Sequence, residues 1–366
     1  MIERPALPAA ASLFEPLTLR SVTFRNRVVM SPMDQYSARE GVANDWHVVH
    51  YASRAVGGVG GVVVEVTAVA PEGRISPGDL GLWNDAQVEP LARVAAAIAA
   101  HGAVPGVQIG HAGRRAGTAP PWQGGATLPL EAGGWVPRGP GDEPFAPGSR
   151  APRPLAADEL AALPEAFAAA ARRARRAGFR FLEIHAAHGY LLHQFLSPLV
   201  NRRADAWGGP FENRARLALE VARAVRAAWP EELPLWARIS ARDWAPGGWD
   251  LDEAVRLAGL LRDAGVDLVD TSSAGAVAHQ QVALAPGYQV PFAERVRREA
   301  CVRTGAVGLI TEPAQAEAIV RGGQADVVLL GRALLRDPYW PLRAAVDLGV
   351  DGPWPPQYRR GMPEHI

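Results

Sequence analysis

The sequence predicts a (β/α)8 TIM barrel, and two patterns in its 366 residues support that prediction. Short runs rich in β-branched residues alternate with longer amphipathic stretches, as strands and helices do in an α/β fold. Most of the short runs are continuously apolar, which is typical of parallel strands covered on both faces. Eight such runs suit a barrel of this length. A doubly wound sheet, the structural alternative, would use fewer strands, and no GxGxxG motif follows an early strand.

Each element is predicted from its own stretch of sequence, in chain order. Residues 13–25 have the pattern of a short hairpin ahead of the barrel. The barrel strands are predicted at 27–31, 61–67, 104–110, 179–185, 234–240, 266–272, 306–310 and 326–331. Helices are predicted between them at 86–101, 164–177, 212–228, 252–264, 313–321 and 333–348.

The predicted helix ends carry their usual signals. Gly102 and Gly178 follow two of the helices, where glycine accepts the backbone conformation that ends a helix. Pro164 suits the first position of the helix at 164–177, and Asp250 suits the cap of the helix that follows it.

Two segments are predicted to lie outside the strand–helix alternation. Residues 115–155 are rich in Gly, Pro and Trp and show little periodicity, so we expect a long loop after the third strand, on the catalytic face. Residues 350–366 are expected to form a C-terminal tail. The chain 1–366 is therefore interpreted as a single barrel domain with one loop excursion and one tail.

Composition excludes several classes of protein. The 38 basic and 38 acidic residues balance, so neither nucleic acid nor a membrane surface is an expected partner. Cys301 is the only cysteine, which excludes an intrachain disulfide and cysteine-ligated zinc or iron–sulfur sites. The segment around Glu3 and Arg4 lacks the apolar core of a cleavable leader, and no apolar run reaches the ~20 residues of a membrane span. A cytoplasmic location is expected.

Polar residues cluster where the predicted strands end, which is where barrels of this kind place their chemistry. They are Ser31, Asp34 and Tyr36 after the first strand, Glu65 and Thr67 on the second, Gln108 and His111 on the third, His185, His188 and Tyr190 on the fourth, Arg238 and Ser240 on the fifth, Ser272 and Ser273 on the sixth, and Gly331 and Arg332 on the eighth.

These residues favour an anionic cofactor over a metal ion. His185 and His188 could bind a metal, but no HxH pair follows the first strand, and Arg238 stands where a metal would need a carboxylate. Gly331 and Arg332, with the glycines near the seventh strand, suggest the phosphate cradle usual in these barrels. The sequence therefore favours a flat phosphorylated cofactor such as FMN, and no metal.

Several motifs closely resemble the Old Yellow Enzyme family, over about residues 13–361. They are RNRVVMSPMDQYS (25–37), HYASRAVGGVGGVVVEVTAVAPEGR (50–74), QIGHAGR (108–114), EIHAAHGYLLHQFLSPLVNRRADAWGGPFENR (183–214), TGAVGLIT (304–311) and LLGRALLRDP (329–338). The segment from 185 to 214 is the most specific of these. The resemblance is to the bacterial thermophilic-like branch, which contains FMN-dependent ene-reductases.

The resemblance implies bound FMN, with NADPH or NADH as co-substrate. The positions that match FMN contacts are Ser31, Pro32, Met33, Asp34, Ala68, Gln108, Arg238, Ser273, Gly308, Gly331 and Arg332. Arg238 matches the arginine near N1 and O2, where positive charge stabilises the reduced flavin. No metal is implied.

The resemblance also assigns catalytic and substrate-binding roles. His185 and His188 match the pair that donates hydrogen bonds to a carbonyl or nitro oxygen of the substrate, where negative charge develops. Tyr190 matches the donor of a proton to the α-carbon. Tyr36 matches a tyrosine of the substrate pocket, and His193 is interpreted as structural.

Arg360, in the C-terminal PPQYRRG, matches an arginine that reaches the site of the neighbouring subunit. The resemblance therefore implies a homodimer or a homotetramer built from dimers. If the segment instead forms a flexible basic tail, this inference does not hold.

The chain departs from the family at Asp34, where this branch usually has a cysteine, and at Gln35 and Arg115. An ionised Asp34 would oppose reduction of the flavin, whereas a protonated one could donate a hydrogen bond as the usual residue does. The leading hypothesis is NAD(P)H-dependent reduction of activated C=C bonds. A desaturase or oxidase acting on saturated carbonyl compounds, a flavin-binding module without catalysis and a metal-dependent hydrolase are the alternatives.

Overall fold

The computed structural model describes residues 11–363, in which eight strands form a closed barrel. Every neighbouring pair of barrel strands is parallel, so the predicted fold class is confirmed. The segment around Glu3 and Arg4, on which the expected absence of a leader depended, lies outside the described residues, as do residues 364–366 of the tail.

The strands are, in chain order, β1 (Leu17–Leu19), β2 (Val22–Phe24), β3 (Val28–Met30), β4 (Gly61–Ala68), β5 (Val104–Gly110), β6 (Arg138–Gly139), β7 (Arg153–Pro154), β8 (Phe181–Ala186), β9 (Leu235–Ser240), β10 (Leu268–Ser272), β11 (Arg303–Ala306) and β12 (Val327–Leu330). The barrel closes in the order β10-β11-β12-β3-β4-β5-β8-β9. The carboxyl ends of all eight strands therefore meet at one mouth.

The helices are α1 (Asp45–Val56), α2 (Val88–Ala100), α3 (Ala157–Arg176), α4 (Leu191–Leu196), α5 (Phe211–Ala228), α6 (Leu251–Asp263), α7 (Val290–Ala300), α8 (Pro313–Arg321), α9 (Arg332–Arg336) and α10 (Trp340–Asp347). None of the helices within residues 11–363 has the length and apolarity needed to cross a bilayer.

The predicted hairpin is present, as β1 and β2, and it plugs the end of the barrel opposite the mouth. Phe24 is fully buried and packs on Phe181 and Trp236, with ring centroids 5.2 and 5.6 Å away. Those two residues lie near the amino ends of β8 and β9. The apolar core is thus continuous from the hairpin to the mouth.

One predicted strand is misplaced. The sequence predicted 306–310, but the seventh barrel strand is β11 (Arg303–Ala306). Gly308 and Leu309 have φ of +117° and +51°, so the chain turns where a strand was expected. The apolar residues beyond β11 follow this turn instead of continuing the strand.

The helix at 164–177 also begins earlier than predicted, because α3 starts at Ala157 and contains Pro164. The Glu159 side chain accepts the backbone N–H of Ala156 at 2.9 Å, which satisfies a free donor of the first turn. Buried Leu160 and Leu163 extend the apolar face beyond the proline. Pro164 therefore lies inside the helix and not at its first position.

The remaining helices also differ from the prediction. The sequence analysis predicted none of α1, α4 and α7, and it predicted one helix at 333–348 where α9 and α10 are separate. Pro338 lies between these two and cannot donate a helical hydrogen bond. Within 115–155 the chain forms only short turns and the two-residue pair of β6 and β7, in agreement with the expected loop.

Candidate active site at the mouth of the barrel

Three side chains predicted to act together do lie together at the end of β8. The ring centroids of His185 and His188 are 5.1 Å apart, and those of His185 and Tyr190 are 5.0 Å apart. Both pairs meet edge to face. His185 is 3% exposed, whereas His188 and Tyr190 are partly accessible from the mouth.

The turn that carries these residues needs glycine at two places. His188 has a left-handed backbone with φ of +59° and is followed by Gly189 with φ of +72°. A Cβ on Gly189 would lie 1.8 Å from the carbonyl oxygen of Gly275, and one on Gly275 would lie 2.3 Å from the carbonyl carbon of His188. Two backbone segments thus touch directly, and this contact fixes the direction of the His188 side chain.

Hydrogen bonds hold the same turn from three sides. The amide of His188 donates to Ser240 Oγ at 3.0 Å, and the Arg115 guanidinium donates to the His188 carbonyl. The amide of Gly189 donates to His193 Nδ1 at 2.9 Å. His193 is fully buried, with Nε2 2.9 Å from Asp243 Oδ1, so it supports the turn as a structural residue.

Both histidines are electrically neutral at ordinary pH. Burial lowers the pKa of His185 and of His188 well below the usual value, and the positive charge of Arg238 lowers both further. His185 Nδ1 accepts the amide N–H of Ala187 at 3.3 Å, so the ring proton lies on Nε2. His185 therefore presents an N–H donor.

Tyr190 keeps its proton for a related reason. Burial raises the pKa of the phenol, and the nearby charge of Arg115 lowers it in part. The Arg115 guanidinium lies 5.3 Å from the centre of the Tyr190 ring. The phenol is thus a proton donor beside a cation that would stabilise its conjugate base.

A chain of hydrogen bonds leads from His188 to the sixth barrel strand. His188 Nε2 lies 2.7 Å from Ser272 Oγ, and Ser273 Oγ donates to Gln289 Oε1 at 2.6 Å. Ser272 Oγ lies 3.4 Å from the same Gln289 oxygen. Gln289, in the turn before α7, was not identified from the sequence, because no local motif marks it.

Inside the mouth, Arg238 lies among polar groups from four strands or strand ends. Its Nη2 donates to Ser31 Oγ at 3.0 Å, and its Nε lies 2.9 Å from Asp270 Oδ2. Gln108 donates to Glu183 Oε1 at 2.7 Å. Burial, followed by the charge of Asp270, raises the pKa of Glu183 to about 8, so Arg238 faces one ionised and one neutral carboxyl group near neutral pH.

Asp34 joins a second group of carboxyl side chains. Although the residue retains some solvent access, protein surrounds its carboxyl group. This desolvation, followed by the charges of Asp79 and Glu65, raises the pKa of Asp34 well above its usual value. A hydrogen bond from the Val66 amide and the charge of Arg238 act in the opposite direction. The balance of these effects favours the protonated form of Asp34.

Glu65 holds the segment that contains Asp34. The Gln35 amide donates to Glu65 Oε2, and His47 Nε2 lies 3.2 Å from the other carboxylate oxygen. The Tyr51 hydroxyl also belongs to this group, because it accepts a hydrogen bond from the Glu65 amide at 2.9 Å. His47 and Tyr51 lie on α1, a helix that the sequence analysis missed, so their contribution could not be foreseen.

The ends of β11 and β12 enclose a cavity of about 150 Å³. Its lining residues are Val307, Gly308, Leu309, Ile310, Thr311, Leu329, Gly331, Arg332, Ala333 and Arg336. A Cβ on Gly308 would lie 2.6 Å from Gln289 Nε2, and the backbone φ of +117° strains any larger residue, so this position requires glycine. Three of the predicted cofactor residues thus share one small cavity with a second arginine.

Other predicted cofactor residues line the mouth at separate strand ends. Pro32 and Met33 are partly accessible, and Ala68 is 2% exposed at the end of β4. Within residues 11–363, no group of three or more His, Cys, Asp or Glu side chains is arranged to hold a metal ion.

The substrate side of the mouth contains an aromatic residue that the sequence analysis did not identify. Trp122, from the loop 115–155, meets Tyr36 edge to face with ring centroids 5.5 Å apart, and it is 65% exposed. Tyr36 itself has a left-handed backbone, with φ of +50°. The loop contains more than one tryptophan, and its sequence alone does not indicate which ring reaches the mouth.

Arg360 does not lie at the mouth of its own chain. It is exposed, in a short turn at Pro356–Gly361. The preceding residues 353–357 line a cavity with Arg25 and His101, on the side of the barrel where the strands begin. The proposed role of Arg360 requires a neighbouring subunit and stays a prediction.

The chain is similar in sequence to a family of known proteins. Residues 12–350 match the profile of the NADH:flavin oxidoreductase / NADH oxidase family. An NADPH dehydrogenase of Geobacillus sp. (strain WCH70) is 47% identical over 351 residues, which cover 95% of this chain and 98% of that protein.

Two solved structures are similar over most of this chain. An Old Yellow Enzyme homologue from Zymomonas mobilis superposes with a TM-score of 0.77 and 26% identity, over 97% of this chain and all of that one. A 2-naphthoyl-CoA reductase superposes with a TM-score of 0.83 and 27% identity over 93% of this chain. This chain spans about half, 52%, of that longer protein.

Proposed function

We propose, from the premise that this chain belongs to the NADH:flavin oxidoreductase / NADH oxidase family, that it reduces activated C=C bonds. Membership confirms the Old Yellow Enzyme resemblance and makes the protein an FMN-dependent NAD(P)H oxidoreductase. The finer proposal is that α,β-unsaturated carbonyl or nitro compounds are the substrates. The observation that carries it is the pair of neutral histidines, His185 and His188, beside the protonated phenol of Tyr190.

The residues at the mouth fit FMN. The cavity between β11 and β12 combines backbone freed by Gly308 and Gly331 with the guanidinium of Arg332, which suits a phosphate group. Arg238 supplies the buried positive charge expected beside the pyrimidine edge of a flavin. The other proposed contacts are Ser31, Pro32, Met33, Asp34, Ala68, Gln108 and Ser273. Bound FMN supplies the hydride that is delivered to the β-carbon of the substrate.

The two histidines polarise the substrate in this proposal. A neutral His185 with its proton on Nε2 donates to the carbonyl or nitro oxygen, and His188 lies beside it with Ser272 as partner. Donors that are fixed before reaction stabilise the negative charge on that oxygen without reorganisation. Neutrality matters as well, because a charged imidazolium would be costly at a site already facing Arg238.

Tyr190 donates the proton to the α-carbon. Its raised pKa keeps the phenol protonated at the working pH, and the carbanion-like α-carbon is a much stronger base than phenolate. After transfer, the Arg115 guanidinium 5.3 Å from the ring stabilises the phenolate. Arg115 also donates to the His188 carbonyl, so one side chain couples the two parts of the site.

A protonated Asp34 favours reduction over the alternative of a desaturase or oxidase. That alternative depended on a carboxylate whose negative charge would oppose reduction of the cofactor. The raised pKa of Asp34 favours the neutral carboxylic acid, which donates a hydrogen bond as a thiol or hydroxyl would at the same position.

Substrate shape is set by Tyr36 and Trp122 on the open side of the mouth in this proposal. We also propose that Arg360 of a neighbouring subunit completes the substrate pocket, in a cytoplasmic homodimer or homotetramer. Neither the assembly nor the location is needed for the chemistry of His185, His188 and Tyr190.

The two half-reactions test the proposal separately. The FMN-bound protein is reduced anaerobically with NADPH or NADH and then mixed with cyclohexenone, a maleimide or a nitroalkene, while the flavin absorbance near ~450 nm is followed. We expect reduction by at least one nucleotide and rapid reoxidation by an activated alkene, with the saturated compound as product.

Tyr190→Phe sharpens this test. It should leave flavin reduction nearly intact and slow reoxidation by enones on the order of 10²-fold or more, the usual contribution of a positioned proton donor. Tyr339→Phe is the matched control, because Tyr339 is a surface tyrosine whose ring meets that of Tyr358 edge to face. If the parent protein were reoxidised by air but by none of the alkenes, the proposed function would be wrong.

A further inference from the structure

A second cavity, of about 350 Å³, lies inside the long loop beside the catalytic turn, and three arginines line it. They are Arg114, Arg115 and Arg150, and they share the wall with the hydroxyl residues Thr118, Thr127 and Ser149. No Asp or Glu side chain is among its lining residues within the described chain. The cavity is therefore strongly electropositive.

The charges of these arginines are not neutralised by carboxylates. None of the three forms an ion pair within residues 11–363. Arg114 is 4% exposed, and its Nε has no hydrogen-bond partner among the described residues. Burial, and then the charge of Arg115, lowers the pKa of Arg114. Glu143 acts in the opposite direction, but its exposed carboxylate lies nearer to Arg202, at 3.9 Å.

Backbone carbonyl groups hold the guanidinium groups in place instead. Arg150 donates to the carbonyls of Trp135 and Leu128 at 3.0 and 3.1 Å, and Arg114 donates to that of Ala276 at 2.7 Å. A carbonyl orients a guanidinium without cancelling its charge. The guanidinium groups are thus oriented to bind an anion, and no carboxylate of the described chain is paired with them.

Arg115 connects this cavity to the active site. Its guanidinium lies between the rings of Phe145 and Tyr190, 4.5 and 5.3 Å from their centres, and it donates to the His188 carbonyl. A molecule that reacts beside Tyr190 could therefore extend into the cavity. The cradle proposed for the FMN phosphate is a different place, at the ends of β11 and β12.

We propose that the cavity lined by Arg114, Arg115 and Arg150 binds phosphate groups of the pyridine nucleotide that reduces the cofactor. This assignment rests on the proposed function, which brings a nicotinamide to the same mouth. Guanidinium groups bind phosphate through paired, charge-assisted hydrogen bonds. Either the pyrophosphate or the 2′-phosphate of NADPH would meet the same chemistry, and the nucleotides themselves distinguish the two.

Two variants test the cavity without removing a residue that contacts Tyr190. Arg150→Gln removes a positive charge but keeps an N–H donor for the loop carbonyls. Ala126→Glu adds a carboxylate at an exposed position of the lining and removes no side-chain hydrogen bond, so it remains informative if Arg150→Gln fails to fold. Their matched controls are Arg153→Gln and Ala132→Glu, which make the same charge changes elsewhere in the loop.

The measurements are made on the FMN-bound protein. Calorimetry gives the affinity for adenosine 2′,5′-bisphosphate and for ADP, and stopped-flow reduction gives the Kd for NADPH and NADH. We expect each test variant to weaken nucleotide binding about tenfold or more, as the loss of a charge-assisted contact does. The controls should bind as the parent does. Rising salt should weaken the parent more than the variants.

Each outcome decides the assignment. A loss confined to NADPH and adenosine 2′,5′-bisphosphate supports binding of the 2′-phosphate, and an equal loss for NADH and ADP supports binding of the pyrophosphate. The assignment is overturned if both test variants bind nucleotides as their controls do. It is also overturned if the test variants lose affinity for an enone that carries a carboxylate but not for any of the nucleotides. Because none of the nucleotide measurements uses an alkene, failure of enone reduction would contradict the proposed function alone.

Discussion

Asp79→Asn should make the stability of the protein less sensitive to pH. Asp79 is 1% exposed, and one of its oxygens accepts the amides of Ile75 and Ser76 at 2.6 and 3.2 Å. Its other oxygen has no hydrogen-bond partner among the described residues. Burial, followed by the charge of Glu65, raises the pKa of Asp79 to about 8. Asparagine keeps the shape and the acceptor and cannot ionise.

The sign follows from the raised pKa. Between the ordinary value of 3.8 and the folded value of about 8, the unfolded chain has lost the proton that the folded protein retains. Stability therefore falls as pH rises through this window, by ~1.4 kcal/mol per pH unit for one proton. From about pH 5.5 to about pH 7.5 the parent should lose ~2.7 kcal/mol that Asp79→Asn does not lose. For 366 residues this corresponds to a difference of about 3.5 °C in Tm.

Asp79 belongs to a cluster of carboxyl groups, because its charge raises the pKa of Asp34 and the charge of Glu65 raises the pKa of both. Replacing Asp79 also removes a negative charge that raises the pKa of Asp34. Both effects reduce proton retention in the folded protein, so they have the same sign. The value for one proton is therefore the smallest difference that we expect.

The assay is thermal unfolding of the FMN-bound protein at saturating FMN, at half-unit steps across this pH range. Asp85→Asn is the control, because Asp85 is an exposed carboxylate paired with Arg173 and Arg176, and its pKa is lowered by them. The Asp85 carboxyl group titrates below this pH range. Asp85→Asn should therefore leave the change of Tm with pH as it is in the parent. Parallel Tm curves for the parent and Asp79→Asn would refute the assignment of a retained proton to this cluster.

Three further changes address the mouth of the barrel. His185→Ala combined with His188→Ala should keep FMN but lose binding of p-hydroxybenzaldehyde, measured by absorbance titration, because the donors face the substrate oxygen; unchanged affinity would contradict their role. Trp122→Ala should raise KM for bulky cyclic enones about 2- to 10-fold, from loss of the edge-to-face contact with Tyr36, and affect small ones less; equal effects would argue against a pocket wall. Asp34→Asn should leave the flavin potential unchanged near neutral pH, since the carboxyl group is already protonated, and a redox titration in which the variant has the higher potential there would show ionisation instead.

The barrel could be predicted from the sequence because most of its strands are rich in buried apolar residues and end near a polar residue. The misplaced seventh strand shows the limit of that signal, since Gly308 and Leu309 continue an apolar run while the backbone turns. Likewise α7 contains several charged residues, and Pro164 suggested a helix start that the cap at Glu159 places earlier. Apolar periodicity alone does not indicate where the backbone turns or where a helix begins.

The catalytic residues were predictable for a different reason. His185, His188 and Tyr190 lie within one short motif, so their proximity requires only a strand and the turn after it. Residues that act on them from elsewhere in the chain could not be identified in the same way. Gln289 and Trp122 reach the mouth from a turn before α7 and from the long loop, and no spacing in the sequence links them to the histidines.

The protonation of Asp34 shows why a family motif does not fix the chemistry of a site. The sequence placed an acidic residue where the branch usually has a cysteine, and both ionisation states were open at that point. The structure brings Asp79 and Glu65 beside it, from the loop after β4 and from β4 itself, and their charges add to desolvation in raising its pKa. In this chain the three carboxyl groups form a cluster in which the protonated form of Asp34 is favoured. A residue that differs in charge from cysteine can thus occupy the position as a neutral hydrogen-bond donor, and the groups that make it neutral lie outside the motif in which it stands.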